Sequence, residues 1–330
     1  MPASYLVMGR VDDAQGRRYE CLTIDSDSED AVYLSELLDF GPDFLVGEFD
    51  PEETIEAERG RILDFAEQVI AAWLAGEIVP FTAANASMPN TAELARMARD
   101  RFLQRHGLVT LDPFEIEKPG DALREISRSI EWDLFREFQR RERAVSLVRI
   151  VMGDTPATVD ATHVIRRLVD TLPEIDRLML SASQQRKSRA GYSYEHHIEA
   201  MLAGGNIPFE KQVIIEARKR PDFILPSFGF INARTSATTT GLILSAKTTL
   251  RERWKQVERE KGRRALFLTT VDQNIAGNAI DDMASFGVHL VIPESQKDAK
   301  ETEYKGRANV LSFREFCDDI IKPRIAGWRV

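Results

Sequence analysis

Cysteine is nearly absent from the 330-residue chain: Cys21 and Cys317 are the only two. A disulfide framework is therefore excluded, and a reducing cytoplasm is the expected compartment. No Cys/His spacing suggests zinc. No apolar run approaches the roughly 20 residues that cross a bilayer, so no membrane partner is expected. The opening MPASYLVMGRVDD lacks the basic-then-apolar layout of a signal peptide. Internal repeats and low-complexity tracts are also missing. What remains is an ordinary globular composition, 43% hydrophobic and 29% charged, which excludes a disordered chain.

The net charge of −9 at first argues against a nucleic-acid partner, but the charge is unevenly spread. Residues 1–60 hold 16 acids and 4 bases, a net of −12, whereas residues 181–265 hold 16 bases and 8 acids, a net of +8. A basic segment in an acidic chain fits one face that meets phosphate while the rest stays solvated.

Short strands are expected at 4–9 and 19–24, around the turn-like DDAQG. Ile55, Ile62, Leu63, Phe65, Ala66, Val69, Ile70 and Trp73 recur at helical spacing over 52–75. The PFTAANASMPN stretch at 80–90 reads as a loop, and Asn90 with Glu93 as a capping box opening a helix to about His106. A soft boundary falls at 108–121. A long helix is expected from Asp121 to about Met152, with Leu123, Ile126, Ile130, Leu134 and Phe138 on one stripe, suited to an interface, and Gly153 as the stop. Helices around 159–171 and 174–186 follow, parted by Pro173. After residue 205 the pattern changes. FILP (223–226), GLILSA (241–246), ALFLTT (265–270) and VHLVIP (288–293) read as buried strands, alternating with helices at 249–261 and 274–285.

Three residues of this region suit phosphodiester chemistry. Asp222 enters the first of these strands, Lys247 ends the second, and Glu260 closes the helix after it. Two carboxylates can bind Mg²⁺ through hard oxygens. A lysine beside them can hold the attacking water and offset charge building on phosphate. Arg251, Glu252 and Arg253 follow Lys247 by four to six positions, and Lys255 is grouped with them as a DNA contact. Arginine bonds guanine O6 and N7 and glutamate accepts from cytosine N4, so the triplet has the groups to read G·C pairs. Upstream, Arg186, Lys187 and Arg189 suit phosphate contacts. His163, His196, His197 and His289 have no partner at catalytic or metal spacing and read as structural or solvated.

RAGYSYEHHIEAML, RPDFILPS, SAKTTLRERWKQVERE and GVHLVIP, in this order, resemble the catalytic domain of the EcoRII-type restriction endonucleases, which cut sites with CC…GG cores and belong to the PD-(D/E)XK nucleases. The resemblance covers roughly residues 130–320, and KTTLRERWKQ is its most specific part. It implies an α/β fold, a restriction-endonuclease-like mixed sheet flanked by helices, preceded by a mixed α+β N-terminal subdomain. The implied division is 1–110, acidic and of unassigned role, and 111–330, the catalytic domain, with a helical part at about 121–186 and a sheet core at about 187–320. The implied activity is Mg²⁺-dependent hydrolysis of double-stranded DNA at a short palindrome. Ser245 stands where the superfamily usually has a second carboxylate; the resemblance passes that role to Glu260. It also points to Glu195 as a further catalytic acid, with Glu199 one turn away, and to Gln184 or Gln185 as a groove contact. A palindrome further implies a homodimer or higher oligomer. The competing readings are a non-catalytic DNA-binding protein on the same fold and a repair or structure-specific nuclease.

Overall fold

The structure, a computed structural model, describes residues 4–13, 16–25, 28, 30–31, 34, 38, 47–211, 221–232, 241–248, 250, 265–273, 275–300 and 302–328; at 12–13, 51–55, 57–59, 61–62 and 182–192 it describes the backbone alone. The chain forms two compact units. One comprises Met1–Ala86 and Ala144–Val169, the other Ser87–Arg143 and Asp170–Val330.

The first unit opens with an antiparallel hairpin, β1 (Ser4–Asp13) and β2 (Gly16–Asp25); β1 begins where expected, and both strands run further into the turn than expected. Gly16, opposite Asp13, has φ 111°, a backbone that only glycine adopts without strain. Helix α1 (Pro51–Leu74) follows, then α2 (Ile78–Asn85). Val69 and Trp73 pack with Ile78, Ala86 and Val145, and the Trp73 indole N–H donates to the Gly153 carbonyl at 2.9 Å. Of the apolar stripe expected on α1, Leu63 and Ile70 are instead exposed. The expected loop at 80–90 is helical in its first half. Pro80 falls in the first turn of α2, where a backbone N–H has no helical acceptor, so it does not break the helix.

The second unit holds the sheet. Helix α3 (Thr91–His106) begins with the anticipated capping box, Asn90 and Glu93 exchanging side-chain and backbone bonds. Next come α4 (Pro119–Arg124), a π-helical turn at Glu125–Ile130, and α5 (Glu131–Met152), ended by Gly153 at φ 79°. Helix α6 (Ala161–Asp170), like the end of α5, belongs to the first unit save for its last residue, and α7 is Leu172–Gly204. Pro173 sits in the first turn of α7, as the sequence suggests. The helix does not stop near 186, however, but runs on for 18 further residues. Tyr194, Ile198, Met201 and Leu202 continue the helical period, and each is buried, so packing carries the helix past Gly191.

Six strands follow in the order β3-β4-β5-β6-β7-β8: Glu210–Lys211, Phe223–Leu225, Leu242–Ala246, Ala265–Thr269, Val288–Ile292 and Val310–Ser312. The first three pair antiparallel and the remaining pairs are parallel. This is the expected mixed α/β sheet. Alternation along the strands divides two cores. Phe223, Leu225, Leu242, Leu244 and Phe267 face α3, α4 and α7, while Ile224, Ile243, Leu266, Leu268 and Leu290 face helix α9 (Gly277–Ser285), which follows the short α8 (Phe228–Asn232). Beyond 293, where the sequence suggested no element, lie α10 (Glu294–Lys297), β8, and a helical stretch from Phe313 to Trp328.

One expectation is overturned by this packing. Leu123, Ile126, Ile130 and Leu134, the stripe suited to an interface with another chain, are at most 2% exposed and fill the chain's own core. The C-terminal end of α7 also sits tightly. A Cβ on Gly204 would stand 2.7 Å from the Leu111 carbonyl carbon. Gly204→Ala should therefore destabilise the second unit by about 1–3 kcal/mol, seen as a lower urea midpoint with an unchanged slope. An unchanged midpoint would show that the two segments separate easily.

Candidate active site

The antiparallel register of β4 and β5 opposes Phe223 to Leu244. Continued by one residue, it sets Asp222 against Ser245, and the side chains confirm it. One oxygen of Asp222, Oδ2, accepts three hydrogen bonds: from the Ser245 hydroxyl at 2.9 Å, the Ala246 backbone N–H at 2.8 Å and the Lys247 ammonium at 2.8 Å. Side-chain exposures of 13% for Asp222 and 27% for Lys247 leave the pair at the rim of the core, reachable from solvent. Asp222 lies just before β4 and Lys247 just after β5, so the two charges sit at strand ends and escape the full burial that would otherwise be costly.

The chain beyond Lys247 is pinned from three sides. The Lys247 N–H donates to the Thr269 carbonyl at 3.0 Å, extending the parallel β5–β6 pairing by one bond. Arg128, on the π-helical turn, donates to the Thr248 carbonyl at 3.2 Å. The Leu250 N–H donates to the buried carboxylate of Asp272 at 2.9 Å. Asp272 is itself tied down: its N–H donates to the Thr270 hydroxyl at 3.0 Å, and Tyr304 donates to its carbonyl. The Tyr194 hydroxyl shares a 3.0 Å bond with that of Thr269, joining α7 to the same strand end. Arg128, Thr269 and Asp272 carry no motif, Tyr194 lies in a quoted stretch without being singled out, and each is 22 or more residues from Lys247 in sequence. Sequence reasoning missed them for that reason.

Asp222 and Lys247, matched as a pair in the sequence, thus meet. Glu195 lies on α7, half-buried, between Ser193 and His197. The alternative Glu199, one turn on, bonds Lys211 on β3 at 2.6 Å. The backbone at Gln184, Gln185, Arg186, Lys187 and Arg189 is α7 helix upstream of Glu195. Arg251, Glu252, Arg253, Lys255 and Glu260 lie outside the described residues. Among the described residues no three His, Cys, Asp or Glu side chains gather as a metal cluster. The Asp222 carboxylate, a hard oxygen donor at the rim of the core, nevertheless has the chemistry that Mg²⁺ prefers.

Of the histidines read as structural or solvated, His197 is fully buried and paired with Glu131, and His289 stacks on Phe267 with ring centres 5.0 Å apart. Burial pushes the His197 pKa down, against the hydrogen bond to Glu131.

Residues 158–317 match the family described as EcoRII C terminal, a span that holds the whole Asp222–Lys247 site. This part of the chain is similar to the EcoRII C-terminal domain. The type II restriction enzyme EcoRII of Escherichia coli is 34% identical over 177 residues, covering 52% of this chain and 43% of that enzyme. The type II restriction enzyme SsoII of Shigella sonnei is 29% identical over 203 residues, covering 58% of this chain and 65% of that enzyme. The matched stretches thus span less than two thirds of either relative. Among solved structures, metal-depleted Ecl18kI in complex with uncleaved, modified DNA aligns over 76% of this chain and 82% of its own at TM-score 0.56 and 23% identity. The complex of restriction endonuclease PspGI with substrate DNA aligns over 72% and 93% at TM-score 0.51 and 17% identity. The fold is that of restriction endonucleases. Among the described residues, no helix is long and apolar enough to cross a membrane.

The pinning of the segment after Lys247 can be tested without any assay of activity. Asp272→Ala leaves the Leu250 N–H without its charged acceptor, which should cost about 1–3 kcal/mol. The measurement is the urea midpoint together with hydrogen exchange at Leu250. Unaltered protection at Leu250 would show that Asp272 does not hold this segment.

Proposed function

We propose that the chain is a type II restriction endonuclease that hydrolyses both strands of duplex DNA at a short palindrome with a CC…GG core. The observation that carries this reading is the Asp222–Lys247 pair, joined at 2.8 Å across the ends of β4 and β5, inside the span that matches the EcoRII C-terminal family.

The roles follow from the chemistry of the side chains. Asp222 and Glu260 would hold Mg²⁺, which when bound polarises a phosphoryl oxygen and lowers the pKa of a water. Lys247 is aimed by Asp222 and positions the attacking water while offsetting charge on the phosphate. Ser245 occupies the place of a second carboxylate, and its hydroxyl donates to Asp222 instead, fixing that carboxylate's orientation. Glu195 is the further acid on α7. Arg251, Glu252 and Arg253 read the G·C pairs, with Lys255, Arg186, Lys187 and Arg189 on phosphates and Gln184 or Gln185 at a groove edge. The catalytic domain is 111–330. The protein acts as a homodimer or higher oligomer, two-fold symmetry matching the palindrome, with an interface other than the buried stripe of α4 and α5. A cytoplasmic location fits a restriction enzyme and the scarcity of cysteine.

Two experiments test this. Lys247→Ala should slow cleavage of a cognate plasmid by at least about 10²–10³-fold and leave specific binding in a gel shift intact, because recognition rests on other residues. Near-normal cleavage would remove Lys247 from the active site, and discrete fragments from the wild type separate a site-specific enzyme from a random or structure-specific nuclease.

The second concerns base reading. A lost bidentate contact removes about 1–3 kcal/mol of discrimination. A glutamate in the groove also repels phosphate, so Glu252→Ala should weaken cognate binding about tenfold or more while strengthening nonspecific binding. The check is a competition titration at fixed salt, cognate duplex against one with the core G·C pairs changed to A·T. An unchanged affinity ratio would make Glu252 an ordinary solvated acid.

A further inference from the structure

The second unit contains a charged network within an otherwise apolar core. The Glu131 carboxylate, 8% exposed, bonds His197 Nε2 through Oε2 at 2.6 Å and accepts from the Ser193 hydroxyl through Oε1. His197 is 0% exposed. Its Nδ1 lies 3.5 Å from the Arg99 guanidinium, which also donates to the His196 carbonyl at 3.3 Å. The neutral imidazole with its proton on Nε2 satisfies both ends, donating to Glu131 and accepting from Arg99. Three helices, α3, α5 and α7, thereby meet at one polar node.

Stability does not account for such a node. Burying ions costs desolvation that their attraction repays only in good geometry, and apolar residues of equal volume often serve as well. Geometry is what the node supplies. Ser193 and His197 are one helical turn apart on one face of α7, and both are held by the two oxygens of one carboxylate. Tyr194, on a neighbouring face, is tied to Thr269, whose carbonyl receives the Lys247 N–H. Rotation of α7 is thus fixed from two directions, and Glu195 lies midway between the two clamped residues. Arg128, one turn before Glu131, holds the Thr248 carbonyl. The helical segment from Arg128 to Glu131 therefore touches the chain on both sides of the candidate site.

We propose that Glu131 and His197 are positioning residues for DNA cleavage: through the Ser193/His197 clamp they set the rotation of α7, and with it Glu195, against the Asp222–Lys247 pair. This rests on the nuclease reading of the site. It concerns the placing of an acid, and neither residue touches DNA or a reacting atom.

The test compares wild type, His197→Ala, His197→Gln and Ser193→Ala in three measurements: thermal midpoint, affinity for a cognate duplex without divalent metal, and single-turnover cleavage with Mg²⁺ at saturating duplex. Small misplacements of reacting groups cost up to about a hundredfold in rate. His197→Ala should therefore lose about tenfold to a hundredfold in the cleavage step with unchanged duplex affinity. His197→Gln, whose amide can donate to Glu131 in place of Nε2–H, should recover most of the loss. If His197→Ala fails to fold, Ser193→Ala, which removes one bond of the clamp, carries the test and should slow cleavage at unchanged affinity. Folded variants that cut at the wild-type rate and merely melt earlier would overturn the inference alone. Wild-type protein that cuts no duplex with Mg²⁺ would overturn the nuclease reading, and this inference with it.

Discussion

The candidate site depends on one oxygen atom. Asp222 Oδ2 gathers a hydroxyl, a backbone N–H and an ammonium from three successive residues of one strand end, Ser245, Ala246 and Lys247. Such convergence is possible because β4 and β5 run antiparallel, so the residue entering one strand lies beside the residues leaving the other. A parallel pair would have placed Asp222 and Lys247 at opposite ends of the sheet. The switch from antiparallel to parallel pairing at β5 is therefore a chemical feature as well as a topological one. Beyond it, β6 supplies the Thr269 carbonyl that carries the strand's hydrogen-bonding on to Lys247.

Rigidity around that atom comes from the core rather than from the surface. Both faces of β4 and β5 are buried, every side chain of β5 included. Two buried carboxylates are held in hydrogen-bonded sets: Asp272 with the Leu250 N–H, and Glu131 with Ser193 and His197. The first ties the segment after β5 to the chain after β6, and the second ties α5 to α7. The exposed hairpin and α1 belong to a separate unit with its own small core around Trp73.

The elements most easily read in the sequence were those with one strong local signal. The capping box at Asn90 and Glu93 needs only four residues and formed as expected. The four apolar runs after 220 became strands because their lengths and β-branched content leave few alternatives. Readings failed where packing outweighed local signals. Helix α7 passes Gly191, with Tyr194 and Ile198 buried beyond it. Pro80 sits harmlessly in a first turn. The stripe from Leu123 to Leu134 gave its apolar character correctly, but a stripe does not say whether its own chain or another will cover it.

What the sequence determined by itself is the chemistry: which residues can bear charge, in what order, and in the company of a motif as specific as KTTLRERWKQ. It determined the strands as well, since alternation and β-branching act within a few residues of chain. Tertiary structure alone decided which of these residues meet. Asp222 and Lys247 are 25 positions apart, Arg128 and Thr248 are 120 apart, and His197 and Glu131 are 66 apart. No local rule links such positions. Their contacts follow from strand register and helix packing, which are set by the burial of the whole core at once.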